Sequence, residues 1–338
     1  MSQFIYTSAP ESEREARDEF NRLAVGIETV KRMAPGVRLA RAELDWHGLT
    51  DLLVARPPIW TRHANPVAQR IPLHGDAGDL AALEAVLPSV LMDLDIDLSF
   101  SVQTRLLGDG VRWLYSRFDV NERLAALVAS WGTVLDVRAP EQVLSVVCEE
   151  GEAYLGLSLA AHNLSGWAGG EIRFRKAPER ISRSEFKLLE ALETFRVELP
   201  EHGRALDLGA APGGWTRILL DRGLEVTAVD PAELDPRLAG RPGLRQIRAR
   251  FEEAKLAGPF DVILNDMRMD ARDSARLMAA AARLAAPGAP ALMTLKLPEN
   301  RMALTAEAAL RILGRDWTVV VARQLFHNRN EVTVLLRR

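Results

Sequence analysis

Residues 206–216 read Leu-Asp-Leu-Gly-Ala-Ala-Pro-Gly-Gly-Trp-Thr, and the C-terminal half is organised around them. Upstream, residues 203–209 form a short apolar run flanked by glycines, which predicts a buried strand. Downstream, residues 215–223 have helical apolar spacing and end in a glycine that can cap a helix. Gly213 and Gly214 have no side chains, so a ligand can approach the backbone there. A strand, a tight glycine turn and a helix form the first half of a nucleotide-binding βαβ unit.

Two acids bear on the ligand of this unit. The next strand, residues 224–230, ends in Asp230, about 20 residues beyond the glycine turn, where a carboxylate can accept hydrogen bonds from a ribose diol. The spacing Gly-x-Ala-x-x-Gly over residues 209–214 is a loose dinucleotide fingerprint, so NAD is one candidate. Asp207, just before the turn, would repel a pyrophosphate but would suit the cationic end of S-adenosylmethionine. The spacing favours the methyl donor, while NAD and a glycine turn without a nucleotide remain open.

The same motif carries a family resemblance. The run Asp-Leu-Gly-Ala-Ala-Pro-Gly-Gly-Trp-Thr over residues 207–216 is similar to motif I of the FtsJ-like ribose 2'-O-methyltransferases. The resemblance implies S-adenosylmethionine as the cofactor and an α/β domain with a mostly parallel, Rossmann-like sheet. The residues it implies as cofactor contacts are Asp207, Gly209, Ala210, Pro212, Gly213, Gly214, Trp215, Asp230 and Asp266. Arg250 stands where many members carry an acid, so no contact to the adenine is assigned.

The resemblance also implies a catalytic tetrad. The family carries Lys-Asp-Lys-Glu, and its members fall here on Lys187, Asp266, Lys296 and Glu331. Three of them lie at or beside predicted strand ends, where an α/β sheet places its site. Only five of the 43 basic residues are lysines, and two of these five occupy tetrad positions. Lysine, unlike arginine, can lose its proton near neutral pH. The alternative is a structural ion-pair network.

Three segments resemble one branch of this family. Residues 182–191, 295–298 and 323–338 are similar to the large-subunit rRNA 2'-O-cytidine methyltransferases of the RlmM family, and the resemblance covers residues 182–338 well. It implies a cytidine in the peptidyl transferase region of 23S rRNA, methylated before the subunit is assembled. Two other functions stay open: 2'-O-methylation of tRNA or another RNA, and a non-catalytic RNA-binding assembly factor. An NAD oxidoreductase has no evident substrate domain here.

The upstream half matches that branch in layout. We expect a ferredoxin-like α/β module over residues 1–74, a THUMP-like RNA-binding module over 75–165, a basic linker over 166–183 and the methyltransferase domain over 184–338. The final hairpin is expected to give the sheet an antiparallel last strand at its edge. The linker residues predicted to contact RNA phosphates are Arg173, Arg175, Lys176, Arg180 and Arg183.

Composition restricts the remaining classes of function. The chain has 338 residues, a formal net charge of −3 and 48% hydrophobic residues, which is typical of globular proteins and argues against indiscriminate nucleic-acid binding. The first residues lack a basic region followed by an apolar core, and no membrane span is evident, so we expect a cytoplasmic protein. Six histidines and the single Cys148 show no metal-ligand spacing. A metal-free monomer is the default expectation.

Overall fold

The computed structural model describes residues 2–23, 26–108, 111–175 and 179–338. The chain divides into two compact units, Met1–Ile172 and Arg173–Arg338. Short 3-10 helices accompany the helices and strands given below; they span Pro10–Ser12, Ala160–Asn163, Ala168–Gly170, Pro236–Leu238 and Ala282–Leu284.

The first sheet of the N-terminal unit has the ferredoxin-like arrangement. Its elements are β1 (Ser2–Ser8), α1 (Glu13–Arg22), β2 (Glu28–Ala34), β3 (Val37–Ala42), α2 (Trp46–Ala55) and β4 (Thr61–Val67). The strand order is β2-β3-β1-β4, and each neighbouring pair is antiparallel. This β-α-β-β-α-β order agrees with the ferredoxin-like fold expected from the sequence.

The second sheet of this unit is mixed. Its elements are β5 (Gln69–Pro72), α3 (Gly78–Val90), β6 (Phe100–Leu106), α4 (Arg117–Ala129), β7 (Gln142–Glu149) and β8 (Glu152–Leu159). The strand order is β5-β8-β7-β6, and only the β6–β7 pair is parallel. Ile5 and Leu39 of the first sheet share an apolar cluster with Val147 and Tyr154 of the second. The two sheets therefore belong to one compact unit.

The first part of the expected linker is attached to this unit. The Thr7 hydroxyl donates a hydrogen bond to the Gly169 carbonyl at 2.8 Å. The Arg105 guanidinium forms a 2.9 Å ion pair with Glu171. The Gly-rich sequence of residues 166–172 suggests a free connector. These two long-range polar contacts instead hold the segment against the N-terminal unit.

The second unit contains one seven-stranded sheet. Its elements are α5 (Glu185–Thr194), β9 (Arg204–Leu208), α6 (Gly214–Asp221), β10 (Glu225–Val229), β11 (Leu244–Ile247), β12 (Val262–Asn265), α7 (Ala271–Ala281), β13 (Pro290–Lys296), α8 (Met302–Leu313), β14 (Thr318–Arg323) and β15 (Glu331–Arg337). The strand order is β11-β10-β9-β12-β13-β15-β14. All neighbours are parallel except that β15 runs antiparallel to β13 and β14. This agrees with the mostly parallel, Rossmann-like sheet and the antiparallel last strand expected from the sequence.

The expected edge position of the last strand is wrong. Strand β15 lies between β13 and β14, and β14 forms the edge. Residues 332–336 are all buried, so both faces of β15 are covered, whereas β14 alternates between exposed and partly buried positions over residues 318–321. A continuous apolar run is what a strand covered on both faces requires.

The sheet has its topological switch point at β9. From β9 the chain first adds β10 and β11 on one side and then β12 and β13 on the other. Helix α6 packs Trp215, Ile218 and Leu219 into the core cluster of the sheet. In such sheets the ligand site lies outside the carboxyl ends of the strands at the switch point. Here that edge carries the glycine turn after β9 and the residues that follow β10, β12 and β13.

Candidate active site

The turn after β9 is sterically restricted to glycine at two positions. Gly209 has φ +73° and Gly213 has φ +108°, a region of backbone conformation that L side chains rarely adopt. A Cβ atom on Gly209 would lie 2.8 Å from the Cα atom of Met267. A Cβ atom on Gly213 would lie 2.3 Å from the Leu238 Cδ1 atom. The turn is therefore packed against its neighbours and offers backbone rather than side chains to a ligand.

Asp230 holds the turn from the adjacent strand. It directly follows β10, and one carboxylate oxygen accepts a hydrogen bond from the Ala211 amide at 3.1 Å. The other accepts from the Ala232 amide at 2.8 Å. Each carboxylate oxygen can accept more than one hydrogen bond, so capacity remains for ligand hydroxyls.

Asp207 lies behind the turn. It is 1% exposed, and the Thr216 hydroxyl donates a 2.6 Å hydrogen bond to it. Burial raises the pKa of Asp207 to about 7, although the hydrogen bond from Thr216 opposes the rise. Asp207 therefore joins β9 to α6 beneath the turn, and its contact with a cofactor stays a prediction.

Asp207→Asn should change how stability depends on pH. Between about pH 4 and pH 7 the unfolded chain loses the Asp207 proton while the folded protein retains it, so the wild-type free energy of unfolding falls as pH rises. The asparagine variant lacks this loss and keeps an acceptor for Thr216. Urea unfolding at pH 4.5 and 7.5 measures the free energy of unfolding of both proteins. From the lower to the higher pH, the value for the variant should rise relative to that of the wild type by about a few kcal/mol. If the difference in free energy of unfolding between the two proteins does not change with pH, the raised pKa of Asp207 is contradicted.

The four predicted tetrad residues come together at the carboxyl edge of the sheet. Lys187 Nζ on α5 lies 2.6 Å from a Glu331 carboxylate oxygen and 3.7 Å from an Asp266 oxygen. Lys296 Nζ, at the end of β13, forms an ion pair with Asp266 and lies 3.1 Å from the other Glu331 oxygen. Lys296 and Glu331 are direct partners in the β13–β15 pairing, which explains their proximity. Each lysine thus contacts both carboxylates.

The charge state of one lysine follows from these contacts. Burial acts to lower the pKa of Lys187, but Asp266 and Glu331 outweigh it, and the pKa of Lys187 is raised above its ordinary value. Lys187 is therefore an ammonium at neutral pH. The four side chains are between 15% and 20% exposed, so they are shielded but reachable from solvent.

The comparisons with known proteins agree with this geometry. The FtsJ-like methyltransferase family model matches residues 180–329, which include the glycine turn and three of the four tetrad residues. The ribosomal RNA large subunit methyltransferase M of Xylella fastidiosa (strain 9a5c) is 30% identical over 290 residues, and the match covers 79% of each chain. The chain belongs to the ribosomal RNA large subunit methyltransferase M family.

Other relatives match a smaller part of the chain. The methyltransferase M of Halorhodospira halophila is 38% identical over 179 residues, which are 51% of this chain and 52% of the relative. The chain thus spans about half the length of that relative. Among solved structures, TrmN from Thermus thermophilus covers 100% of both chains with 18% identity and a TM-score of 0.39.

Sequence reasoning missed Thr294, which lies beside the tetrad. The Thr294 side chain is fully buried, and its hydroxyl hydrogen bonds to Asp266 and lies 2.5 Å from Lys296 Nζ. Its position two residues before Lys296 on β13 was the available signal, since alternate strand residues share a face. Thr294 fixes the carboxylate that both lysines contact.

Sequence reasoning also missed Glu190. This side chain is 3% exposed and accepts hydrogen bonds from the Phe326 and His327 amides at 2.7 and 2.8 Å. It also contacts the His327 ring at 2.7 Å. Glu190 therefore attaches α5, which carries Lys187, to the connection that leads into β15.

The other predicted site residues have different surroundings. Trp215 is buried, and its indole donates to the Ser184 carbonyl at 2.7 Å, so its side chain packs between α6 and the start of α5. Ala210 is buried, Pro212 is exposed at the turn, and Gly214 is buried at the start of α6.

One arginine of the basic segment contacts an aromatic ring. Arg173, Arg175 and Arg183 are exposed, and Arg180 lies with its guanidinium 4.6 Å from the Phe186 ring centre. Lys176, which was predicted to contact phosphate, lies outside the described residues. Arg175, Arg180 and Arg183 do not contact the tetrad in the hydrogen bonds and ion pairs found among described residues.

The described residues contain no group of three or more His, Cys, Asp or Glu side chains that could hold a metal ion. No helix in the described part of the chain has the length and apolar character that a membrane crossing needs.

Proposed function

We propose that the chain is an S-adenosylmethionine-dependent methyltransferase that acts on a ribose 2'-hydroxyl of 23S rRNA, at a cytidine, in the cytoplasm and before the large subunit is assembled. The observation that carries the proposal is the group Lys187, Asp266, Lys296 and Glu331, joined at the carboxyl edge of a methyltransferase sheet. The names of the relatives support large-subunit rRNA as the substrate class.

The residues of the glycine turn fit the cofactor. At Gly209 and Gly213 a Cβ atom would collide with Met267 and Leu238, so the turn carries no side chain there and offers the backbone of residues 209–214. Asp230, at the end of β10, has acceptor capacity for a ribose diol. Asp266 borders both the turn and the tetrad, because its amide bonds to the Leu208 carbonyl. When bound, S-adenosylmethionine would supply an electrophilic methyl group on a sulfonium.

The side chains of the tetrad would prepare the ribose hydroxyl. Lys296 would accept the hydroxyl proton on Nζ as a neutral amine and so direct the oxygen lone pair towards the methyl group. Positioned proton transfer of this kind contributes about 10²–10⁴-fold in rate. Lys187, an ammonium, disfavours a second positive charge nearby, while Asp266 and Glu331 keep both Nζ atoms in place. Alignment of the oxygen with the methyl group supplies the remaining acceleration.

The N-terminal unit would bind the RNA. Its ferredoxin-like sheet and its second, THUMP-like sheet, which begins at β5, are proposed to contact structured RNA. Arg173, Arg175, Arg180 and Arg183 would contact phosphates, which positions an RNA without selecting its sequence.

Methyl transfer to separate RNA classes tests the proposal. Purified protein, labelled S-adenosylmethionine and protein-free 23S rRNA lacking the modification should give label on a single cytidine, with none on 16S rRNA or tRNA. Label on tRNA alone would retain the reaction and reject the substrate. Cofactor binding without transfer to any RNA would reject the enzymatic proposal and support a non-catalytic assembly factor.

A further inference from the structure

We propose that the rings of Phe174, Phe186 and His327 form a stacking site for an unpaired base next to the target nucleotide, with the Arg180 guanidinium beside it for a phosphate or a second base. We call these four side chains the aromatic platform. The inference rests on the proposed function and specifies its substrate as RNA with an accessible, unpaired base.

Phe174 is stacked with both Phe186 and His327. The centroids of Phe174 and Phe186 are 5.9 Å apart with 15° between the ring planes, and those of Phe174 and His327 are 5.7 Å apart with 30° between the planes. Phe186 and His327 close the group at 5.2 Å. A base presents a flat π-face to such rings, and stacking tolerates any base identity.

These rings differ in exposure from three large aromatics of the same unit. Trp215, Phe260 and Trp317 are between 1% and 4% exposed and belong to the interior. The rings of the aromatic platform are all partly exposed. A cluster of partly exposed rings on an RNA-modifying domain is more consistent with a binding surface than with core packing.

Arg180 supplies a second observation. Its guanidinium lies 4.6 Å from the Phe186 ring centre, within cation–π distance. Its Nη1 atom is shielded from solvent and has no hydrogen-bond acceptor among the described residues. A guanidinium held over a ring with an unused donor is suited to a phosphate or a base edge.

The aromatic platform is built from the same elements as the tetrad. Phe186 directly precedes Lys187 on α5, and His327 lies four residues before Glu331. Glu190 fastens these two elements together through the His327 ring and amide. A base stacked here would therefore be held by the elements that position Lys187 and Glu331.

The cofactor's own adenine is excluded as the occupant. Asp230, the proposed ribose acceptor, follows β10, and Glu331 opens β15. Four strand spacings separate β10 from β15 in the sheet order, which is about 19 Å at the usual distance between strands. The aromatic platform lies on the β15 side of the sheet, away from the proposed cofactor ribose site at β10. Its rings are therefore available to the RNA.

Paired substitutions at Phe174 test the inference. Phe174→Leu keeps an apolar side chain and removes the ring, so we expect about tenfold weaker binding of protein-free 23S rRNA and a matching rise in the KM for RNA. Phe174→Tyr restores the ring and should restore most of that affinity. The Kd for S-adenosylmethionine and the kcat at saturating RNA should stay close to wild type in both variants. Leu304→Ala, an exposed position on α8, serves as the unaffected control.

The outcomes separate this inference from the proposed function. If wild-type protein methylates rRNA and Phe174→Leu binds RNA as tightly as wild type, the aromatic platform is overturned and the function stands. If both Phe174 variants lose affinity equally, a packing role replaces the stacking role. If the wild-type protein binds the cofactor but no RNA, the proposed function fails and the inference falls with it.

Discussion

Lys296→Arg should lower the kcat of methyl transfer by about 10²–10⁴-fold, while the Kd for S-adenosylmethionine stays near its wild-type value. Arginine keeps the positive charge that pairs with Asp266 and Glu331. It cannot become neutral near physiological pH, so it removes the proposed proton acceptor without removing the cation. Single-turnover transfer of labelled methyl to unmodified rRNA measures the chemical step directly.

The matched control is Lys255→Arg. Lys255 is exposed and lies outside the tetrad, so the same exchange there should leave kcat unchanged. Thermal unfolding of both variants checks that the fold is retained. Wild-type kcat in Lys296→Arg would eliminate proton acceptance by Lys296 and leave only a role for its charge.

Asp266→Asn should lower kcat by about 10²-fold or more, and it should also lower stability. The carboxylate contacts both lysines and the Thr294 hydroxyl, so asparagine keeps the shape of the site and removes one of the two carboxylates that contact both lysines. Asp266 is also one of the groups that raise the pKa of Lys187, so that pKa should fall in the variant. Removing one partner of a buried ion pair lowers stability by roughly 3–5 kcal/mol, and partial exposure places this site at the lower end.

Asp273→Asn is the corresponding control. Asp273 is an exposed acid in the first turn of α7, and its substitution should affect neither kcat nor the pH dependence of the rate. Urea unfolding and pH–rate profiles of the two variants provide the comparison. An Asp266→Asn protein with wild-type kcat and wild-type stability would show that the ion-pair network has no part in the reaction.

The glycine turn and the tetrad could be predicted because their signals are local or motif-based. A strand, a positive-φ glycine and a helix follow one another within about a dozen residues, and the pattern of residues 206–216 specifies them directly. The strand ends that carry Asp266 and Lys296 then converge because the sheet is parallel there.

Other features depend on contacts between distant residues, and the sequence did not reveal them. The central position of β15 is set by pairing with β13 and β14 on both sides, and the hairpin pattern alone suggested an edge. Glu190 accepts a hydrogen bond from His327, which lies 137 positions later in the sequence. Residues 166–172 are held by Thr7 and Arg105, whose partners no local pattern identifies.

The most direct test of the central claim is the chemical position of the transferred methyl group. Protein-free 23S rRNA labelled by the wild-type protein would be hydrolysed with alkali, and the products separated by size. A ribose methylated on its 2'-oxygen cannot attack the adjacent phosphodiester, so we expect label in an alkali-resistant dinucleotide that contains 2'-O-methylcytidine. Label recovered in mononucleotides would place the methyl group on a base and contradict the account.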